Sequence, residues 1–192
     1  MCNRLLKDAS FFESLVGIDD ILALQTQQAG CPCGGRLDRA NYPRKPRGGP
    51  ADLGPAYDTR WSFCCAEDGC RRRATSFSVR FLGRRVYLGA VVILATILAH
   101  GLTGKRLWQL QKQISHTLSA KTIKRWQHWW RESFPETGLW KRNKARLKSP
   151  VDKDRLPASL LERFFGDDAG HCLRRLLEFI SPLTGSLSEK PK

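Results

Sequence analysis

SFCCAEDGCRRR, residues 62–73, puts three cysteines within seven positions and three arginines directly behind them. Upstream, CPCGGRL (31–37) holds two more cysteines. Pro32 stiffens that turn, and Gly34 and Gly35 let backbone N–H groups swing towards thiolate sulfurs. Gly69 stands beside Cys70 in the second turn in the same way. Two cysteine turns, each at the tip of a strand pair, are the arrangement by which a zinc ribbon builds a tetrahedral thiolate site. The flanking segments GRLDRANY (35–42), YDTRWSFC (57–64) and RATSFSVRF (73–81) have the aromatic and β-branched content of strands. Between the first two runs a Pro/Gly-rich loop, YPRKPRGGPADLGP (42–55), with its positive charge, is expected to be an arm or flap rather than core.

Five clustered cysteines compete for four ligand positions. Cys31, Cys33 and Cys70 are the natural first three. Cys65 leaves four residues before Cys70, within the spacing usual for structural zinc, whereas Cys64 leaves five. Adjacent residues of a strand face opposite sides, so only one of the two points at the metal. Cys65 is therefore the expected fourth ligand of a structural Zn2+, and Cys64 a small buried hydrophobe or a spare ligand. The competing reading is five reduced cysteines packed in two glycine-containing turns. Four thiolates leave no open position for a water, so a catalytic zinc is not expected. Cys2 and Cys172 are isolated and read as free thiols. His171-Cys172 reads as a local structural pair.

The chain of 192 residues carries 33 Lys and Arg against 18 Asp and Glu, a net charge of +15. Such a balance asks for a polyanionic partner. All the excess lies between residues 31 and 149, where the cations alternate with Trp, Leu, Ile and Phe, as they do on a folded surface. The N-terminus lacks the uninterrupted apolar run and cleavage site of a targeting signal. The most apolar stretch, Tyr87–Ala99, is far short of the roughly 20 residues that span a bilayer. It reads as a buried core helix, and the expected setting is cytoplasmic, without membrane contact, where cysteines are thiols or metal ligands.

Beyond it, Thr103 can cap a helix with Leu107, Leu110 and Ile114 on one face, SHTL (115–118) is a polar break, and Ser119 caps a second helix with Ile123, Trp126 and Trp130 in register. Two short amphipathic helices joined by three or four residues make a helix-turn-helix. The opposite face of the second helix carries Lys121, Arg125 and His128, with Lys124 beside them and Thr122 near the N-terminus. A recognition helix needs such donors, to reach base edges in the major groove while flanking cations hold phosphates. The plainer alternative is a cation-rich solvated helix in an ordinary bundle. WKRNKARLKSP (140–150) continues the basic track.

In this order, cysteine turn, CCAEDGCRRRATSFSV, apolar helix and LSAKTIKRW, the sequence resembles the N-terminal DNA-binding region of bacterial insertion-sequence transposases of the zinc-ribbon class, over roughly residues 31–131. The resemblance implies that the ribbon cysteines bind zinc and that the helix from Ser119 to Trp130 reads double-stranded DNA. It also implies an RNase H-like domain with three separated carboxylates, for which this sequence offers nothing: residues 91–149 contain only Glu132 and Glu136 as acids, and the later ones crowd into a short segment. No convergent catalytic set is visible, and a non-enzymatic role is expected.

The expected fold class is α+β: an N-terminal helical segment (1–30), a zinc ribbon with a long basic loop (31–85), a helical helix-turn-helix region (86–149), and a C-terminal helical hairpin and tail (150–192). The hairpin has a rich apolar face (Leu160, Leu161, Phe164, Phe165, Leu173, Leu176, Leu177, Ile180) that packs on the core or meets a partner, either a transposase or a second copy. The expected function is zinc-dependent recognition of double-stranded DNA, with Lys121, Thr122, Lys124, Arg125, His128, Arg71, Arg72 and Arg73 at the DNA, as an accessory, regulatory or orphan component of a mobile element. The rivals are an RNA-binding module, and an adaptor docking on a transposase or RNA polymerase.

Overall fold

A computed structural model describes residues 2–44, 46–50, 53–82, 87–99, 103–104, 108, 118–147, 149–164, 166 and 168–187. After a short helix α1 (Cys2–Leu5), Asp8 caps the long helix α2 (Ala9–Ala29) by accepting the Phe11 N–H at 3.2 Å. Phe11, Leu15, Asp19 and Ala23 recur every fourth residue and form its buried seam. An aspartate in such a seam requires partners, and they come from residues 78–80.

The strands follow: β1 (Leu37–Arg39), β2 (Tyr42–Pro43), β3 (Thr59–Arg60), β4 (Ser62–Cys65) and β5 (Arg73–Thr75). β4 pairs antiparallel with both β1 and β5, and β2 pairs with β3. Directly opposed residues share a face, so Leu37 with Cys65, and Phe63 with Ala74, line one side of the sheet. These four join Ala23 of α2 and Cys31 in a small core of their own.

The main core is built by helices. α3 (Gly89–Leu98) is buried from Gly89 to Thr96, as its uniformly apolar sequence requires. It packs against α4 (Ala120–His128), which continues through a π-helical turn (Trp129–Ser133) and a last turn (Phe134–Glu136). α5 (Gly138–Asn143), α6 (Ala158–Leu161) and α7 (Ala169–Ile180) complete the packing. Among the described residues no helix is long and apolar enough to cross a membrane.

The α+β class stands, with four differences in detail. The first cysteine turn joins α2 to β1 rather than two strands, because a 21-residue helix precedes it. The run 73–81 is a strand only to Thr75. Beyond it the backbone N–H groups leave the ladder for side-chain acceptors: Ser78 donates to Thr184 Oγ1 (2.8 Å), Val79 to Asp19 Oδ1 (2.7 Å) and Arg80 to Ser78 Oγ (3.1 Å), while Asp19 Oδ2 accepts the Ser78 hydroxyl (2.6 Å) and Arg80 Nε (2.7 Å). The basic loop is no free arm: the Leu88 N–H donates to the Arg47 carbonyl at 3.2 Å, Leu53 packs on the main core, and the Arg44 guanidinium lies 5.4 Å from the Phe81 ring centre. Finally, the C-terminal segment adds a strand, β6 (Ser186–Leu187), to the open edge of β5, held by Thr184 Oγ1 accepting the Ser78 N–H at 2.8 Å.

Leu160, Leu173, Leu176, Leu177 and Ile180 of the C-terminal hairpin are buried in the main core, and Leu161 and Phe164 pack against it. The hairpin's apolar face thus packs on the core at these residues, the first of the two expectations. Phe165 lies outside the described residues, as do Leu107, Leu110, Ile114 and His116 of the expected first helix and turn of the helix-turn-helix.

Candidate metal centre and nucleic-acid interface

The first cysteine turn begins where α2 ends. The Cys31 N–H donates to the Gly35 carbonyl (3.0 Å), and the Gly34 N–H to the Cys31 carbonyl (2.8 Å). In the second turn the N–H groups of Cys70 and Arg71 both donate to the Glu67 carbonyl at 2.9 Å. The two turns are stitched together by the Ala66 N–H on the Arg36 carbonyl (2.9 Å). A side chain at Gly35 would meet Glu67 Cγ at 2.5 Å and Cys65 Sγ at 2.8 Å, so this approach is open only to glycine.

This geometry brings the sulfurs of Cys31, Cys33, Cys65 and Cys70 within 4.8 Å of one another. Cys31 and Cys70 are 3.7 Å apart, and Cys33 and Cys65 3.5 Å, far beyond the ~2.05 Å of a disulfide. A regular tetrahedron with metal–sulfur bonds of about 2.3 Å has S···S edges of about 3.8 Å. The cluster is compatible with a metal ion on that measure. Its protonation chemistry is divided. Burial pushes the Cys65 thiol up to about 12, whereas the Gly35 backbone N–H draws the Cys33 thiol down to about 7. A thiolate at Cys65 is costly alone, and a dication among four sulfurs supplies the missing compensation.

Cys64 stands outside the cluster. It faces the other side of the sheet, opposite Asp38 and Arg73, and its Sγ lies 3.7 Å from the Arg71 carbonyl, towards which it donates. It is neither fully buried nor a ligand-set member. Cys64→Ser is therefore expected to leave the metal content unchanged by elemental analysis, and Cys65→Ser to lower it severely. Equal loss in both would place Cys64 in the shell.

The second positive surface lies on α4. Ser119 Oγ accepts the Thr122 N–H at 3.1 Å and sets the helix start. Ile123, Trp126 and Trp130 are buried, Trp126 edge-on to Tyr87 at 5.2 Å between ring centres. Trp129, half-buried, packs on Phe134 at 5.7 Å, and Phe134 on Trp140 at 5.3 Å. That aromatic block holds the helix against the core and turns Lys121, Lys124, Arg125 and His128 outward, all exposed, with Thr122 half-exposed at the first turn. None of these four takes part in an ion pair among the described residues. In and after α5, Arg142, Lys144 and Arg146 are also exposed, while Lys141 pairs with Glu136 at 2.6 Å and holds that carboxyl below its usual range.

The three arginines behind Cys70 are not equivalent. Arg71 and Arg73 are exposed and Arg72 is half-buried, and Arg73 donates to the Ala40 carbonyl at 3.0 Å. The residues that the sequence overlooks are Asp19, Arg60 and Arg80, each buried: Asp19 of α2 pairs with Arg80, and Arg60 donates to the Ser76 and Thr184 carbonyls. An Asp on the apolar stripe of α2 was the one available signal. Neither protein-family models, nor characterised proteins, nor solved structures provide a match to this chain.

Proposed function

We propose that this chain is a double-stranded DNA-binding protein whose ribbon is held by a structural Zn2+, and that it serves as an accessory, regulatory or orphan recognition component of a transposase-related mobile element. One observation carries the reading: α4 is anchored by buried tryptophans on one side and presents Lys121, Lys124, Arg125 and His128, without ion-pair partners among the described residues, on the other. An amphipathic helix of this kind with Thr122 and Lys121 at its N-terminal turn has the donors that base edges and phosphates accept. The exposed Arg142, Lys144 and Arg146 extend the positive track and suit flanking phosphates. The metal supports recognition indirectly, by fixing the cysteine turn that carries Arg71 and leads into Arg72 and Arg73. The mobile-element assignment rests on the resemblance in the order of parts.

The test is duplex binding across a salt series. The double variant Lys124→Ala/Arg125→Ala should bind more weakly, with a log–log salt slope shallower by about 1.8, because each phosphate neutralised by a cation contributes about 0.9. Both residues are exposed, so its melting temperature should match wild type. Unchanged affinity and slope would remove α4 from the interface. Preference for A-form RNA over duplex DNA would replace this reading with the RNA-binding one.

A further inference from the structure

Each cysteine turn places the residue after its last cysteine in the left-handed backbone region: Gly34 follows Cys33 with φ 86°, and Arg71 follows Cys70 with φ 46°. The first is glycine, which adopts that conformation freely. The second is an arginine, and among the described residues it is the only non-glycine with positive φ. Its conformation is imposed from both ends. The Arg71 N–H is held by the Glu67 carbonyl at 2.9 Å, its carbonyl faces Cys64 Sγ at 3.7 Å, and the next residue's carbonyl accepts the Cys65 N–H at 2.9 Å. A turn so constrained by the cysteine set tolerates a Cβ only at a cost in backbone energy. Glycine would avoid the cost, so the side chain has to supply something in return.

What it supplies is not a contact within the fold. The neighbouring guanidinium groups are engaged or enclosed: Arg73 donates to the Ala40 carbonyl, Arg36 pairs with Asp38 at 3.0 Å, and Arg72 Nε is shut away from solvent. Of the three arginines after Cys70, Arg71 and Arg73 are exposed, and of these two only Arg71 has no side-chain partner among the described residues. Its fork of donors matches the oxygens of a phosphate. We infer that Arg71 is the ribbon's phosphate anchor, an arginine kept at a left-handed position so that one unpaired guanidinium stands on the metal turn, while Arg73 is a strut of the sheet. The inference rests on the DNA-binding reading and goes further in ranking the three arginines, which the sequence alone treats alike.

Three variants of the full, metal-loaded chain separate the possibilities: Arg71→Gly removes both charge and backbone strain, Arg71→Gln removes only the charge, and Arg71→Lys keeps it. Melting temperature and binding to a short duplex DNA across a salt series are measured for each. The expected result is that R71G melts at or above wild type yet binds more weakly. R71G and R71Q should both have a salt slope shallower by about 0.9, and R71K should keep the wild-type slope with part of the affinity gone. If wild type binds the duplex and R71Q and R71G bind it with unchanged affinity and slope, Arg71 is not an anchor and the inference falls alone. If R71G melts below wild type, the arginine stabilises the fold and the inference falls on its structural half. If wild type shows no duplex binding, the DNA-binding reading fails and takes this with it.

Discussion

Removing the proposed metal with a chelator should unfold the cysteine turns and the sheet while leaving the helical core in place. The core beneath the small sheet consists of Ala23, Cys31, Leu37, Phe63, Cys65 and Ala74, with Trp61 and Cys70 at its margin. Three of these eight are candidate ligands, so little apolar surface remains to order the turns without an ion. Binding of structural zinc to comparable small sites is worth on the order of 10 kcal/mol, well above what the two large buried side chains, Leu37 and Phe63, supply at about 1.5–3 kcal/mol each. Hydrogen exchange should therefore show the Cys31, Ala66, Cys70 and Arg71 amides opening in the metal-free protein, while α3 and α7 stay protected. Equal protection of those amides with and without metal would show that the turns need no ion. Acid should mimic the chelator. Metal binding requires all four thiols to lose their protons, and burial holds the Cys65 thiol up to about 12. Affinity consequently falls as pH falls and protons reclaim the sulfurs. A metal content independent of pH under mild acid would contradict thiolate ligation.

The second large effect is expected at Asp19 and Arg80. Both side chains are fully buried, and their ion pair is 2.7 Å long. Arg80 spends its remaining donors on the carbonyls of Ala56 (2.8 Å), Tyr57 (3.2 Å) and Thr59 (3.0 Å), and Asp19 also receives Ser78 and Val79. Removing one partner strands a charge in the interior, at a cost of about 3–5 kcal/mol. For a chain of this length that lowers the melting temperature by about 10 °C, at about 2–4 °C per kcal/mol. Asp19→Ala and Arg80→Met should each show this loss by urea denaturation. The double variant should lose less than the two singles together, since neither leaves the other's charge unpaired. Small and strictly additive losses would mean that the network is incidental to the fold.

This network explains why the strand expected over 73–81 stops at Thr75. Residues 76–80 have an alternating, aromatic pattern that suits a strand, yet the backbone N–H groups of Ser78, Val79 and Arg80 go to the side chains of Thr184, Asp19 and Ser78, two of them far away in the chain. No window of local sequence carries that information. The same holds for β6, whose two residues join an edge exposed by β5, and for the basic loop, which its Pro and Gly content marks as irregular but which the surfaces of α3 and Phe81 hold in place.

Sequence alone determined what depends on near neighbours. The spacing of Cys65 to Cys70 and the alternation of a strand separated Cys65 from Cys64, and the cluster geometry agrees. The spacing of Ile123, Trp126 and Trp130 told the buried side of α4 from its basic one, and Ser119 marked its start. Tertiary structure decided what depends on groups far apart in the chain: that Asp19 sits among ribbon donors, that the apolar face of the C-terminal hairpin is covered by the core, and that Arg71 is bent into a glycine conformation while Arg73 lies against the sheet. The division is physical. Periodicity and ligand spacing are short-range properties written in consecutive residues, whereas the partner of a buried charge is fixed only when the chain has closed around it.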